Sequence, residues 1–234
     1  MRSAIVTGAG AGIGRAVALA LAARDWRVLL CDIDGDAAAR AAADAGGAAS
    51  PVTADITDDH ALAALIASAD SLTAVVHCAA LFPRISLADT RIGDFDRVMA
   101  VNLRAAVQLT LHAARAMCSN GSVVFLTSGS GLLASAVDPF QQGFALYGAS
   151  KAALDRWVAG VAPELAAAGI FASTITPGAI VETPGLARAG VTPTPGAATI
   201  SAERVAEAIV RLAEDRSGRF AGQRLNAAAF EDWR

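Results

Sequence analysis

The sequence predicts an α/β fold, a parallel sheet wound on both faces by helices. Three observations carry this. Short apolar runs alternate with longer Ala- and Leu-rich stretches along the whole chain. The first run passes directly into a glycine-rich turn, Thr7-Gly8-Ala9-Gly10-Ala11-Gly12-Ile13-Gly14, and then into a helical stretch. Hydrophobic residues make up 54% of 234 positions and charged ones 18%, enough to bury one sizeable core. One domain over residues 1–234 is expected, with no repeat and no linker.

Residues 2–7 read as a buried strand. The glycines that follow let the backbone turn tightly. The helix beyond them offers unpaired N–H groups and a positive dipole end. Strand, glycine turn and helix in that order form the context of a dinucleotide fingerprint, in which the backbone approaches a pyrophosphate. The plainer alternative is a flexible Gly/Ala turn. A second strand over 27–31 ends at Asp32, 18 residues after Gly14. A carboxylate there suits the adenosine ribose hydroxyls of NAD and repels the 2′-phosphate of NADP. Neither the glycine turn nor Ile33 brings a cation to receive that phosphate, so NAD is the expected cofactor. Asp32, Asp34 and Asp36 also suit a turn or a helix cap.

Residues 36–46 read as a helix and 50–54 as a third strand, closed by Asp55-Ile56. Asp58 reads as the N-cap of the next helix. Residues 72–77 form a fourth strand before Cys78-Ala79-Ala80. The stretch 94–117 reads as a long helix containing Asn102, a polar residue whose plain reading is a hydrogen-bonded core amide. Residues 121–127 form a fifth strand, ending in Ser128-Gly129-Ser130-Gly131. A loop over 132–146 leads to a helix from Tyr147 to about Ala168. Residues 169–176 are a sixth strand, ended by Pro177-Gly178. The Gly-, Pro- and Thr-rich stretch 178–200 is too long for an ordinary connection and is expected to be a functional lid. Ser201 caps a helix to Glu214, and 220–229 is the last strand.

Tyr147, the single tyrosine, stands four residues before Lys151 on one helix. The phenol and the ammonium therefore share a face. A free phenol, with a pKa of about 10, is a poor acid or base at neutral pH, and a nearby cation is expected to lower that value. Other classes are disfavoured. The net charge is −3 and there is no basic run, which argues against nucleic acid or an anionic membrane as partner. No uncharged apolar stretch is long enough to span a bilayer. The chain enters a strand at once, so no leader peptide is expected. Cys31, Cys78 and Cys118 lack metal-ligand spacing, so no metal is expected, and their sparse use suits a reducing cytoplasm.

Six features together resemble the short-chain dehydrogenase/reductase family, in its short single-domain branch, over nearly the whole length. They are Thr7-Gly-x3-Gly12-Ile13-Gly14, Asp55 after the third strand, Asn102, Ser128 after the fifth strand, Tyr147-x3-Lys151 and Pro177-Gly178. The resemblance implies a Rossmann-type, doubly wound, seven-stranded parallel sheet flanked by helices on both faces. It implies an NAD-dependent interconversion of a secondary alcohol and a ketone. Tyr147 would be the general acid in reduction and the general base in oxidation. Lys151 would lower its pKa and hold the nicotinamide ribose. Ser128 would hydrogen-bond the substrate oxygen. Asn102 would help hold a water linking Lys151 to solvent. Ser130 competes with Ser128, but Ser128-x-x-Gly131 matches the family pattern.

The implied cofactor contacts are Gly8, Gly12, Ile13, Gly14, Asp32, Ile33, Asp55, Ile56, Ala79, Asn102, Tyr147, Lys151, Pro177, Gly178, Ile180 and Thr183, with the Ile180 backbone offered to the carboxamide. The substrate wall would be Leu81, Phe82, Phe140, Gln141, Phe144 and Leu186, beside Ser128 and Tyr147. That wall is mostly apolar, so a neutral or largely apolar substrate is expected. Arg84 and Arg188 remain as a hold for an anionic group. Substrate loops are expected at about 132–146 and 178–200.

The chain departs from the family at His77-Cys78-Ala79-Ala80, which replaces Asn-Asn-Ala-Gly. Ala80 requires a negative φ where the family has glycine. His77 is expected to be structural, because Tyr147 already supplies the acid and base. Family members are usually tetramers or dimers that pair through the Asn102 and Tyr147 helices. Leu109, Ala113, Leu154, Trp157, Val158 and Val161 would there divide between core and interface. Two rival readings are an NADP-dependent carbonyl reductase and a non-catalytic dinucleotide-binding sensor.

Overall fold

The computed structural model describes residues 2–117, 120–132, 141–193 and 196–233. Its strands are β1 (Ser3–Thr7), β2 (Arg27–Asp32), β3 (Ala49–Thr53), β4 (Leu72–His77), β5 (Gly121–Leu126), β6 (Ile170–Thr176) and β7 (Arg224–Asn226). They form one sheet in the order β3-β2-β1-β4-β5-β6-β7, and every pairing is parallel. The winding reverses between β1 and β4, and a doubly wound sheet opens its ligand crevice at that point. Thr7 ends β1 between Cys31 of β2 and His77 of β4, and of these Cys31 lines the crevice while the other two lie buried beneath it.

The helices are α1 (Gly12–Ala22), α2 (Gly35–Ala45), α3 (Asp59–Ala67), α4 (Ile92–Met99), α5 (Ala105–Ala116), α6 (Ala145–Ala167), α7 (Pro184–Arg188) and α8 (Ala202–Glu214). Side chains alternate across a strand, and this alternation divides the core. Ala4, Val6, Ala74, Val76 and Val124 face α1, α2 and α8. Ile5, Val75, Val123 and Phe125 face α3, α5 and α6. Strands covered on both faces read as unbroken apolar runs, and all five residues of β1 are buried. Polar side chains close the helix starts where the sequence offers them. Asp34 accepts from the Ala37 N–H, Asp58 from His60 and Ala61, and Ser201 from Arg204.

Three elements of the fold differ from the sequence expectations. The last strand covers only Arg224–Asn226; Phe220 lies in a turn and 227–232 is a 3-10 coil. The long helix starts at Ile92 and is interrupted by a π-helical turn over Ala100–Arg104, with Asn102 at its middle. The stretch 178–200 contains α7, and its two ends pair as a short parallel bridge, Ile180 with Thr199. Leu109, Ala113, Leu154 and Val158 all belong to the core, so on α5 and α6 only Trp157 and Val161 of the six stay half-buried. Ala80 has no positive φ, so its Cβ fits where the family has glycine. Among the described residues no helix is long and apolar enough to cross a membrane.

Candidate active site

A cleft of about 750 Å³ opens over the carboxyl ends of β1, β2, β4 and β5. Of the residues singled out in the sequence, Gly8, Gly12, Ile13, Gly14, Asp32, Ile33, Asp55, Ile56, Ala79, Leu81, Phe82 and Thr183 line it. The glycine turn has no room for side chains. A Cβ on Gly14 would sit 2.1 Å from the Gly8 carbonyl oxygen, and one on Gly8, at φ +68°, would sit 2.7 Å from the Ala79 backbone. Ala11 gives α1 no side-chain cap. The first N–H groups of α1 are therefore left for an anion, and the dipole end favours one.

Asp32 Oδ2 accepts from the Gly10 N–H at 2.9 Å and Oδ1 from the Asp34 N–H at 3.0 Å. The turn reading therefore holds, and the carboxylate also lies on the cleft lining. The carboxylate is pinned at the cleft edge with lone pairs to spare, since each oxygen accepts twice. Asp34 and Asp55 stand beside it on the lining. Among the described residues the cations on the lining are Arg84, Arg97 and Arg188, and none of them comes from the glycine turn or from the ends of β2 and β3.

At the other end, Ser128 follows β5 and hydrogen-bonds the Tyr147 phenol. The turn holding Ser128 lies tight on α6. A Cβ on Gly148 would be 2.6 Å from the Ser130 carbonyl oxygen, and one on Gly131 would be 3.0 Å from the Lys151 backbone. Arg224 braces this turn from β7, donating to the Ser128 carbonyl at 2.8 Å while it pairs with Asp155 of α6 at 2.9 Å. Sequence reasoning missed Arg224 and Asp155. Asp155 lies one turn after Lys151, but its partner is 69 residues away.

Lys151 is buried and its Nζ donates to the Leu126 carbonyl at 2.8 Å. Nζ lies 5.7 Å from the Tyr147 ring centroid. Burial pushes the ammonium pKa down to about 8. The expectation that Lys151 depresses the Tyr147 pKa does not hold in the ligand-free protein. Burial pushes the phenol up to about 12, and the hydrogen bond from Ser128 only partly offsets it. His77 is likewise neutral: burial, and then the Lys151 charge, push it down to about 3. Its Nδ1 pairs with Thr7 Oγ1 at 2.9 Å.

Asn102 does not face solvent. Its Oδ1 accepts from the Leu81 N–H at 2.7 Å, and its Nδ2 donates to the Leu81 carbonyl and to Ser150 Oγ, each at 2.9 Å. Ser150 Oγ in turn donates to the Tyr147 carbonyl at 2.7 Å. The amide thus ties the strand-end loop to α6, and the π turn lets it point inward.

Other expected contacts lie elsewhere. Ile180 does not hold its backbone free, because its N–H donates to Ala198 and its carbonyl accepts from Ile200. Gly178, at φ +80°, packs on Asn226, where any Cβ would overlap the amide. Neither it nor Pro177 lines the cleft. Leu186 is off the lining, while Gly185, Arg188 and Ala189 of the same segment are on it. Phe144 is buried, stacked on Phe82 at 4.5 Å, and Phe82 meets Tyr147 edge-on at 4.5 Å. Gln141 begins the described part of that loop, and Phe140 lies outside the described residues. Among the described residues no group of His, Cys, Asp and Glu gathers in metal-binding geometry.

The fold and this cleft define a dinucleotide-binding α/β protein. A family profile described as short chain dehydrogenase matches residues 2–192, and the chain belongs to that family. It is similar to the cis-4-hydroxycyclohexanecarboxylate dehydrogenase of Sinomonas cyclohexanicum, with 34% identity over 92% of this chain and 90% of the relative. It is similar to the sorbitol dehydrogenase of Cereibacter sphaeroides, with 31% identity over 76% of this chain and 70% of the relative. Among solved structures, a short chain dehydrogenase from Burkholderia cenocepacia in complex with NADP superposes with a TM-score of 0.83, 28% identity and 97% coverage of both chains. The protein is therefore an oxidoreductase that acts on alcohols or ketones.

Proposed function

We propose that the chain is an NAD-dependent dehydrogenase that interconverts a secondary alcohol and its ketone, working as a single domain over residues 1–234. One observation carries this reading. The hydrogen-bonded Ser128–Tyr147 pair, with Lys151 one helical turn on, stands beside a cleft built from a glycine turn.

Bound nicotinamide dinucleotide supplies the hydride donor or acceptor. The chain's own residues bind, orient and move the proton. Gly8, Gly12, Ile13 and Gly14 present backbone N–H groups to the pyrophosphate. Tyr147 is protonated at neutral pH, so in reduction its phenol donates to the oxygen of the forming alcohol. In oxidation the same phenol must first lose its proton. Its pKa falls when a positive nicotinamide ring lies nearby. Ser128 Oγ hydrogen-bonds the substrate oxygen and steadies charge developing there. Lys151, neutralised above a pKa of about 8, passes between charged and neutral forms near working pH and suits proton exchange with the ribose hydroxyls. Asn102 positions Leu81 and α6.

NAD is preferred because the Asp32 carboxylate lies on the cleft lining and, among the described residues, no cation from the glycine turn or the ends of β2 and β3 joins it there to receive a 2′-phosphate. An NADP-dependent carbonyl reductase is the second reading, favoured by the NADP held in the Burkholderia neighbour. The substrate is a small alcohol or ketone, in keeping with the sorbitol and cis-4-hydroxycyclohexanecarboxylate named for the relatives. The half-buried faces of α5 and α6 suit a homodimer or homotetramer, and the free, reduced Cys31 and Cys78 suit the cytoplasm.

The test is reduced-nicotinamide absorbance with secondary alcohols, cyclic diols and hydroxy acids, NAD⁺ and NADP⁺ run side by side. Turnover with NAD⁺ that disappears in Tyr147→Phe supports the reading. Turnover with NADP⁺ alone would overturn the Asp32 argument and keep the mechanism. Bound NADH with no turnover across the panel would favour a non-catalytic sensor. Light scattering at micromolar concentration checks the assembly, and a monomer mass would sink it.

A further inference from the structure

The loop after β4 carries an arginine held ready for a ligand that the protein itself does not provide. Leu81 is fixed by both ends of the Asn102 amide. Three residues on, Arg84 is fixed by the loop before α6. Its Nε donates to the Gln142 carbonyl at 3.2 Å, and the neighbouring Ile85 N–H donates to the Gly143 carbonyl at 2.8 Å. Gly143 sits at φ +84°, and a Cβ there would press within 2.8 Å of Arg84 Cγ. The stem of Arg84, an exposed side chain, therefore packs on one side against a position where only glycine leaves it room. The guanidinium carbon lies 5.8 Å from the Phe144 ring centroid, which is 6.4 Å from that of Tyr147. Among the described residues the terminal Nη1 and Nη2 have no partner, although Arg84 lines the cleft.

The charge of the cleft points the same way. Its carboxylates Asp32, Asp34 and Asp55 come from the ends of β2 and β3. Arg84, and Arg188 of α7, come from the segments beyond β4 and β6, and Arg188 forms no ion pair among the described residues. Asp94 also lines the cleft, but it is taken up by the Arg91 N–H at 3.1 Å and by Arg97 at 3.5 Å. A guanidinium whose stem and Nε are fixed presents its two terminal nitrogens as a planar fork, which matches the two oxygens of a carboxylate.

We propose that Arg84 is a specificity-determining anchor for a carboxylate on the substrate, so that the alcohol oxidised at Tyr147 is a hydroxy acid whose carbon frame packs on Phe82. The inference rests on the reading of Tyr147 and Ser128 as the reacting end. It replaces the expectation of a neutral substrate, because the apolar wall takes the frame of the molecule and Arg84 takes its charged end.

The test separates the anchor from the chemistry. Calorimetry would measure binding of cyclohexanecarboxylate and of its methyl ester to the protein–NADH complex, in wild type, Arg84→Met and Arg84→Lys. A charged hydrogen-bonded pair predicts acid bound about 10- to 100-fold more tightly than ester in wild type. Arg84→Met should lose that preference, and Arg84→Lys should keep part of it, since the charge remains and the fork is gone. Comparing acid with ester in each preparation cancels any general loss of folded protein, and the wild-type comparison stands without any variant. Equal binding of acid and ester, no binding of the acid, or a preference that survives in Arg84→Met overturns the proposal. Oxidation of cis-4-hydroxycyclohexanecarboxylate with NAD⁺ is followed separately. Acid binding without turnover would count against the enzyme reading and leave the anchor standing.

Discussion

Tyr147 offers an unusually direct titration, because it is the only tyrosine among 234 residues. The ultraviolet band of tyrosinate therefore reports one group. Burial raises its pKa from 10.0 to about 12 in the ligand-free protein. Two units correspond to roughly 3 kcal/mol of preference for the neutral phenol. The stability this confers is complete below the unfolded pKa of about 10 and is lost as pH rises through about 12, since the unfolded chain gives up its proton first. The experiment is a rapid jump to alkaline pH with tyrosinate absorbance read before the chain unfolds, and circular dichroism confirms that it is still folded. The midpoint should lie near 12 without cofactor and fall with saturating NAD⁺. Ser128→Ala should move it higher, because Ser128 supplies the contact that favours the phenolate. A midpoint at or below about 10 in the folded, ligand-free protein would refute the claim that burial outweighs the Ser128 hydrogen bond.

Three further outcomes are expected. Lys151→Met should abolish turnover yet raise Tm by a few degrees at pH 7. The buried ammonium, with its pKa pushed from 10.5 to about 8, burdens the fold by roughly 3 kcal/mol below pH 8, and the lost bond to Leu126 offsets part of that gain. A lower Tm in differential scanning calorimetry would contradict this. His77 holds its ring neutral down to about pH 3, so stability should fall by up to roughly 5 kcal/mol as pH drops from about 6.5 towards 3. Denaturant titrations of His77→Asn should show a flatter acid limb, and an unchanged limb would remove His77 from the account. Gly14→Ala forces a Cβ to 2.1 Å from the Gly8 carbonyl oxygen, which should cost at least about 1–3 kcal/mol and cut NADH affinity more than tenfold, read by thermal melts and fluorescence titration. Native-like affinity in that variant would mean that the turn is not the phosphate cradle.

Much of this architecture is set by short-range pattern, and such pattern can be read without a fold. Strands covered on both faces need apolar runs, so β1, β2, β4 and β5 stand out as such in the sequence. Asp58 and Ser201 cap helices by reaching their own next turn, and Tyr147 and Lys151 share a face by helical spacing alone. The glycine turn and the distance from Gly14 to Asp32 are fixed by one strand–helix–strand unit. Other features depend on segments brought together from afar. The backbone of Ile180 is consumed by 198–200, and the last strand stops at Asn226 because β6 pairs with it over only three residues. The sequence could name Arg84 as a cation near the site, but only folding sets it against Gln142 and Gly143, 58 and 59 residues away, with its fork left open. The Tyr147 pKa belongs to the same class. Spacing pairs the phenol with a cation, yet its value is decided by how much water the packed loops around Phe82 and Phe144 exclude, and desolvation is a property of the whole fold.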